Sequence, residues 1–258
     1  MKKLWIITVL FLTAQLGFSQ VVVLNYMKVP PGGEARYEAA EKYAQKVLQA
    51  KTDEGTMIGW ELYRVHNQGS ESEYNYVTVD IYENLSSSLS GMNWEFVQDV
   101  LGDEADKAMD EIMNSRKLTY RETLGFNMGI PSTSDEKFML IHYIKASNPE
   151  KYFEMERNAY MPLHQLAVEN GKMAGWSVWT PWLHDGKMDY TAIVVDGFAS
   201  LDQIDNRDYG SLYEEFKKGK SEEELEKLQK YYDKTGKTRT MVKSQLWEKV
   251  ASTTPGKK

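Results

Sequence analysis

Two of the four histidines sit in segments that are otherwise apolar. His142 lies inside Phe138-Met-Leu-Ile-His-Tyr-Ile144, and His164 closes Tyr160-Met-Pro-Leu-His164. An imidazole changes charge near neutral pH, so in a pocket it can serve as general base, general acid or hydrogen-bond donor. By strand alternation His142 shares a face with Phe138, Leu140 and Ile144. A buried polar group without a partner costs about 1–3 kcal/mol, so His142 requires one. It reads first as a satisfied core residue and second as a pocket donor or base. Asn25, inside Val21-Val-Val-Leu-Asn-Tyr26, poses the same question. His164 follows Pro162, which removes a helical hydrogen bond and should kink or restart the helix. It reads first as a surface histidine on a shifted helix face. The alternative is a pocket lined by the kink, with Tyr160 beside it.

Trp60, Trp176, Trp179 and Trp182 could wall a cavity for an apolar or aromatic ligand, although core filling is the plainer assignment. Asp80 and Asp196 stand near strand ends, where rim hydrogen bonding accounts for them. The candidate ligand-binding residues are therefore His142, His164, Asn25, Trp60, Trp176 and Tyr160, with catalytic residues unassigned. His66, His142, His164 and His184 show neither H-x-x-x-H nor H-E-x-x-H spacing, so no metal site and no cofactor is expected. Gly32-Gly33 lacks the spacing of a phosphate-cradling loop, and no G-x-S-x-G nucleophile elbow occurs.

The elements that must position these residues follow from periodicity. A β-rich run at Val21–Lys28 ends at Pro30-Pro31-Gly32-Gly33. A helical period follows, with Tyr37, Ala40, Ala44, Val47 and Leu48 on one face. Strands are expected over 57–66, 74–82 and 117–124, with a helical region over 85–114 before the last. The order β-α-β-β-α-β then recurs: strands over 138–145, 172–182, 189–198 and 238–247, with helical patterns over 149–170 and 201–232. Ser221 with Glu224 suggests a capping box.

The recurrence extends to residues. Gly55-Thr-Met-Ile-Gly-Trp60 reappears as Gly171-Lys-Met-Ala-Gly-Trp176, an offset of 116 shared by Val79-Asp80 and Val195-Asp196, Leu85 and Leu201, and Tyr37 and Phe153. Gly55 and Gly171 read as helix stops, and Gly59 and Gly175 as places of close approach. At that offset Leu48 matches His164, so an apolar position in one copy is ionisable in the other. One spacing over equivalent elements implies an internal duplication. The expected organisation is 1–19 signal peptide, 20–125 first repeat, 126–136 linker, 137–250 second repeat and 251–258 flexible tail.

At these residues the chain resembles the dimeric α/β-barrel superfamily. The likeness lies in Tyr26-Met-Lys-Val-Pro-Pro-Gly32, a Tyr-bearing helix, the Gly-Trp strand and Val79-Asp-Ile-Tyr-Glu-Asn-Leu85. That group includes NIPSNAP-like, antibiotic-biosynthesis-monooxygenase-like and haem-binding chlorite-dismutase-like proteins. The resemblance implies an α+β fold of two tandem ferredoxin-like βαββαβ units, packed sheet-to-sheet as an intramolecular dimeric α/β barrel. The first functional reading is an exported soluble protein, non-catalytic or of uncharacterised activity, that holds a small apolar or aromatic ligand between sheet and helices. The alternatives are a cofactor-independent monooxygenase-like enzyme and a haem protein with His164 as ligand.

Lys2-Lys3, the apolar run from Leu4 to Leu12, and Gly17-Phe18-Ser19 make a secretory signal with cleavage before Gln20. Export to periplasm or exterior follows as an expectation, without membrane insertion. Asn84-Leu85-Ser86 would be a glycosylation acceptor in a eukaryotic secretory pathway. The 258 residues contain no cysteine, so a sizeable core rather than disulfides must hold the fold. Formal charge is −7, and −9 once Lys2 and Lys3 are removed. With no basic stripe evident in the sequence, nucleic acid is not an expected partner. The chain is expected as a monomer or homo-oligomer, with outer strand edges able to pair further copies.

Overall fold

The computed structural model describes residues 20–69, 71–185 and 188–254. The proposed signal, residues 1–19, lies outside them, as do the last four residues of the expected tail. Strands β1 (Val21–Lys28), β2 (Gly59–Val65), β3 (Tyr76–Tyr82) and β4 (Lys117–Ile130) come from the first half of the chain. Strands β5 (Phe138–Ala146), β6 (Gly175–His184), β7 (Ala192–Phe198) and β8 (Arg239–Ser252) come from the second. Helices α1 (Glu34–Asp53), α2 (Leu85–Ser88), α3 (Trp94–Leu101) and α4 (Ala105–Ser115) accompany the first set. Helices α5 (Pro149–Met155), α6 (Met161–Glu169), α7 (Leu201–Asp205), α8 (Tyr209–Lys217) and α9 (Glu222–Thr238) accompany the second.

The expectation of two ferredoxin-like units packed sheet-to-sheet as a dimeric α/β barrel is corrected by the strand ladder. The strands do not form two separate sheets lying face to face. They close into one antiparallel barrel in the order β1-β3-β2-β8-β5-β7-β6-β4. Two long strands make the closure. β4 pairs β1 along Lys117–Gly125 and β6 along Glu122–Ile130. β8 pairs β5 along Arg239–Glu248 and β2 along Trp247–Ser252. An unpaired sheet edge leaves a row of donors and acceptors unsatisfied, and closure satisfies them. Internal duplication into two such units is corrected with it: the 116-residue matches fall on registers of a single ring. The edges expected to recruit further copies are likewise consumed.

Closure also explains two boundary differences. β4 runs through Phe126–Ile130, which the turn-rich composition marked as linker, and β8 continues to Ser252, into the expected tail. The glycines there serve close approach rather than turning. A Cβ on Gly129 would lie 2.8 Å from the carbonyl oxygen of Trp176, and one on Gly125 would collide with the Trp182 ring. Thr253 beyond β8 is buried, and its hydroxyl accepts from Trp60 N at 2.8 Å.

Two kinds of apolar layer result. Val22, Leu24, Val77, Leu124, Ile141 and Trp247 fill the lumen. Outside it, α1 packs Tyr37 and Leu48 on Met27, Trp60, Leu62 and Tyr76. On the other flank, α5, α6 and α8 pack Tyr152, Leu163, Ala167 and Leu212 on Ile144, Trp176, Val194 and Phe198. A strand covered on both faces must be apolar throughout, which is why VVVLNYM in β1 is buried at every position. Each large side chain so buried contributes about 1.5–3 kcal/mol.

Both predicted helix stops are present. Gly55 and Gly171 have φ of +73° and +66°, a backbone region open to glycine, and each closes the turn behind it. Of the two expected close-approach glycines, only Gly175 is crowded: a Cβ there would collide with Glu136 Oε1, whereas Gly59 has ordinary room. The Ser221–Glu224 capping box forms in full. One charge expectation changes. α9 carries Lys227, Lys230, Lys234 and Lys237 at helical spacing, and with Lys151 they line one cleft, a basic stripe that only the fold assembles. Among the described residues no helix is long and apolar enough to cross a membrane.

Candidate functional site

The second flank holds a cavity of about 370 Å³ between the outer face of the barrel and the helices. Three expected residues meet there, His142, Tyr160 and His164. Its polar wall is completed by Glu156, Asp196, Arg207, Tyr209 and Arg239.

β5 supplies His142. Ile141 and Tyr143 point into the lumen, so alternation turns His142 outward, beneath the helices. Ser244 of β8 is its cross-strand partner, and their Nδ1 and Oγ atoms are 2.7 Å apart. Asp196 of β7 lies diagonally, with Oδ2 3.4 Å from His142 Nε2. His142 is therefore half-buried and partnered on both nitrogens, and it lines the cavity as well.

The helix contributes Glu156, Tyr160 and His164, four residues apart and on one face. They are brought there by a π-helical turn, Glu156–Tyr160, between α5 and α6. Pro162 sits in the first turn of α6, where its missing N–H is tolerated. The sequence argument expected a kink there and placed His164 on the surface. The break is real, but its effect is the reverse. The π turn inserts one residue and turns His164 inward, to 9% exposure. Tyr37 and Leu48 of α1 are eleven residues apart; their counterparts by position, Tyr152 and His164, are twelve apart. The buried tyrosine of α5 is thus Tyr152, not Phe153.

His164 stacks on Trp176, with centroids 5.1 Å apart and planes at 18°. Its Nδ1 is enclosed and has no hydrogen-bond partner among the described residues. Burial pushes its pKa below the usual value, against the pull of Asp196, so the ring is neutral at physiological pH. Glu156 is buried and accepts from Arg239 Nη1 at 2.9 Å. Burial pushes its carboxyl up to about 7, although Arg239 and Tyr152 pull the other way. Burial also raises Asp196, but the His142 bond and the nearby His164, His142 and Arg207 outweigh it and hold that carboxyl low. The Arg239 guanidinium lies 5.0 Å from the Tyr160 ring centroid. At neutral pH the wall thus presents a neutral imidazole, an ionised Asp196 and two guanidinium groups.

The other expected residues lie elsewhere. Asn25 and Trp60 line a separate cavity of about 590 Å³ on the first flank. Trp176 backs His164 rather than facing the cavity. Trp179 points to the lumen, where its Nε1 donates to Ser177 Oγ at 2.8 Å, and Trp182 is exposed. Sequence reasoning set Asp196 aside and missed Glu156, Arg207, Tyr209, Arg239 and Ser244. Glu156 carried a usable signal, a carboxylate on the apolar face of a helix. The arginines carried none, since Arg239 meets Glu156 across 83 residues of chain. Among the described residues no three His, Asp or Glu side chains are grouped to hold a metal ion.

No family profile matches the chain, and no curated protein matches it. Solved structures do. A “putative monooxygenase” of Lactobacillus acidophilus NCFM superposes with a TM-score of 0.55 at 10% identity, covering 92% of this chain and 97% of that one. A second “putative monooxygenase”, from Fusobacterium nucleatum subsp. nucleatum ATCC 25586, gives 0.54 at 10% identity, with 92% and 95% covered. A haem-binding protein from Thermus thermophilus gives 0.49 at 8% identity over 90% and 92%, too low to argue from. The monooxygenase-like part of the resemblance thus has structural company. At such identity the likeness shows that this chain shares their fold.

Proposed function

We propose that the protein is a cofactor-independent, monooxygenase-like enzyme acting on a small electron-rich aromatic molecule in the cavity walled by His142 and His164. One observation carries the reading: His164 lines the cavity, burial holds its pKa down, and its Nδ1 has no hydrogen-bond partner among the described residues. The shared fold with two putative monooxygenases supports the reaction class.

The chemistry needs a base, a place for the resulting anion, and oxygen. His164 takes a proton from an acidic CH₂ flanked by aromatic rings. The imidazolium so formed is stabilised by Asp196, which His142 and Ser244 hold in place. Arg207 and Arg239 attract the negative charge delocalised onto the substrate's oxygen atoms. The carbanion supplies both electrons for a bond to O₂, giving a peroxide that the imidazolium protonates. Loss of the second C–H proton with O–O cleavage leaves a ketone and water. The substrate is the reductant, so atoms and electrons balance without a further donor.

Oxygen uptake with a panel of polyhydroxylated aromatics bearing an acidic CH₂ tests this. Turnover is expected in the native protein, with His164→Ala reducing it by about 10²–10⁴-fold. Unchanged uptake in His164→Ala would end the proposal. Haem is the second reading, and the residues fit it less well. A neutral imidazole and two arginines suit a haem carboxylate and iron, but 370 Å³ is at the small end of ligand cavities, and His164 lies flat on Trp176. Titration with haem is expected to give no Soret band. We further propose export: the protein recovered from its own cells is expected to begin at Gln20 on N-terminal sequencing.

A further inference from the structure

The lumen of the barrel is not packed evenly along its length. Tyrosines close the end at which β1 and β5 finish. Tyr26 stacks on Tyr120 with centroids 4.2 Å apart and meets Tyr74 edge-on at 4.6 Å. Its hydroxyl lies 3.3 Å from that of Tyr143, which packs edge-on against Tyr190. At the other end, where β1 and β5 begin, the lumen holds a cavity of about 240 Å³. It lies inside the ring and is separate from both flank cavities. Ile81, Met139, Trp179 and Val195 line it and point inward, yet each stays half-buried, so this mouth is open.

The wall sets the class of molecule that fits. Val22, Leu24, Leu124, Ile141, Ile193 and Trp247 make it apolar and partly aromatic. Most of its polar groups are already occupied. Trp179 Nε1 donates to Ser177 Oγ, and Tyr63 donates its hydroxyl proton to Glu61 Oε2 at 2.6 Å. Glu136 differs. It approaches from the chain just before β5, and its Oε1 rests in a notch formed by Gly175 of β6 and Gly197 of β7, which face each other across the ladder. A Cβ on either glycine would collide with that oxygen, so the pair is what admits the carboxyl to the mouth. Among the described residues Glu136 has no ion pair, and the nearby Lys249 ammonium is divided between Glu61 at 2.9 Å and Asp135 at 3.1 Å. Burial and the neighbouring Glu61 raise the Glu136 carboxyl above its usual range, and Lys249 and Ser132 only partly offset this. Three carboxylates thus share one ammonium at the rim of an apolar, aromatic-walled cavity. A ligand carboxylate is repelled there, and a ligand ammonium supplies the missing charge. A cavity of about 150 Å³ lined by aliphatic and aromatic side chains admits benzene, so this one has room for a single ring with a short arm.

We infer that the barrel mouth is a second ligand site, taking a single-ring arylalkylamine whose ring enters the lumen and whose ammonium pairs with Glu136. The inference is independent of the reaction proposed for the second flank. Calorimetric titration of the full chain at neutral pH with 2-phenylethylamine, 2-phenylethanol and phenylacetate compares three head groups on one ring. The amine is expected to bind at least tenfold more tightly than the alcohol, and phenylacetate more weakly than both. Glu136→Gln, which keeps the side chain's size, is expected to bring the amine down to the affinity of the alcohol. In the native protein the amine is expected to shift the indole N–H resonances of Trp179 and Trp247 and to leave that of Trp176 in place. His164→Ala is expected to leave amine affinity unchanged. The inference is overturned if the amine gives no heat, if the alcohol or phenylacetate binds as tightly, or if the amine shifts Trp176 instead of Trp179 and Trp247. It is overturned also if folded Glu136→Gln keeps the preference for the amine; should that variant fail to fold, the head-group series and the indole resonances of the native protein decide the matter.

Discussion

Glu156 carries a cost that its neighbours only partly offset. Burial raises its carboxyl to about 7, so the folded protein holds a proton that the unfolded chain releases near 4.5. The stabilising contribution of that proton is complete below the unfolded value and is lost as pH rises toward 7, after which it stays lost. A shift of this size corresponds to about 3 kcal/mol. Denaturant unfolding across pH 4.5–8 should therefore show a falling component in the native protein that is missing from Glu156→Gln. Equal slopes in the two proteins would place the titration elsewhere. Asp196 works in the opposite sense. Its carboxyl is held low, so its contribution is present above the ordinary carboxylate value and disappears only on acidification.

Helix α6 reaches its place through the π turn, and the phase of everything after it depends on that one residue. A regular helix turns about 100° per residue. Deleting the exposed Asn158 should join α5 and α6 in ordinary α geometry and carry His164 off the cavity wall, or displace Glu156 if the other half yields. Far-UV circular dichroism is expected to be preserved while oxygen uptake falls as far as in His164→Ala; full uptake would show that the insertion has no bearing on the site. Pro162 made a break visible in the sequence. Its direction was not, because the phase after a π turn depends on which hydrogen bonds the backbone keeps, and no side chain announces that. The glycine stops and the capping box were legible for the opposite reason: each is decided within four or five residues of chain.

Across the molecule, legibility fell with sequence distance. All eight strands declared themselves through β-rich composition and period-two patterning. Their closure did not, because the β2–β8 and β4–β6 ladders join segments far apart in the chain, and a strand's own pattern does not name its second neighbour. The same distance hid the cavity, whose walls come from β5, β7, β8 and three helical segments. Closure has a measurable counterpart. A fragment spanning 20–136 would expose Val22, Leu24 and Leu124 to water, and it would lack the partners of β2 and β4. It is not expected to be a cooperatively folded monomer by size-exclusion chromatography and urea unfolding. A sharp monomeric transition would restore the picture of self-sufficient halves.

Because the ladder is a ring, every strand has two hydrogen-bonded neighbours, and none lies at an end from which the sheet can unzip. Releasing any one strand means breaking two ladders at once. Amide protons in all eight strands should then exchange with solvent at similar, globally limited rates, while α2, α7 and the exposed face of α9 exchange through local fraying. Both flank cavities lie under the helical layer and outside the ring, so access to them requires no breathing of the barrel.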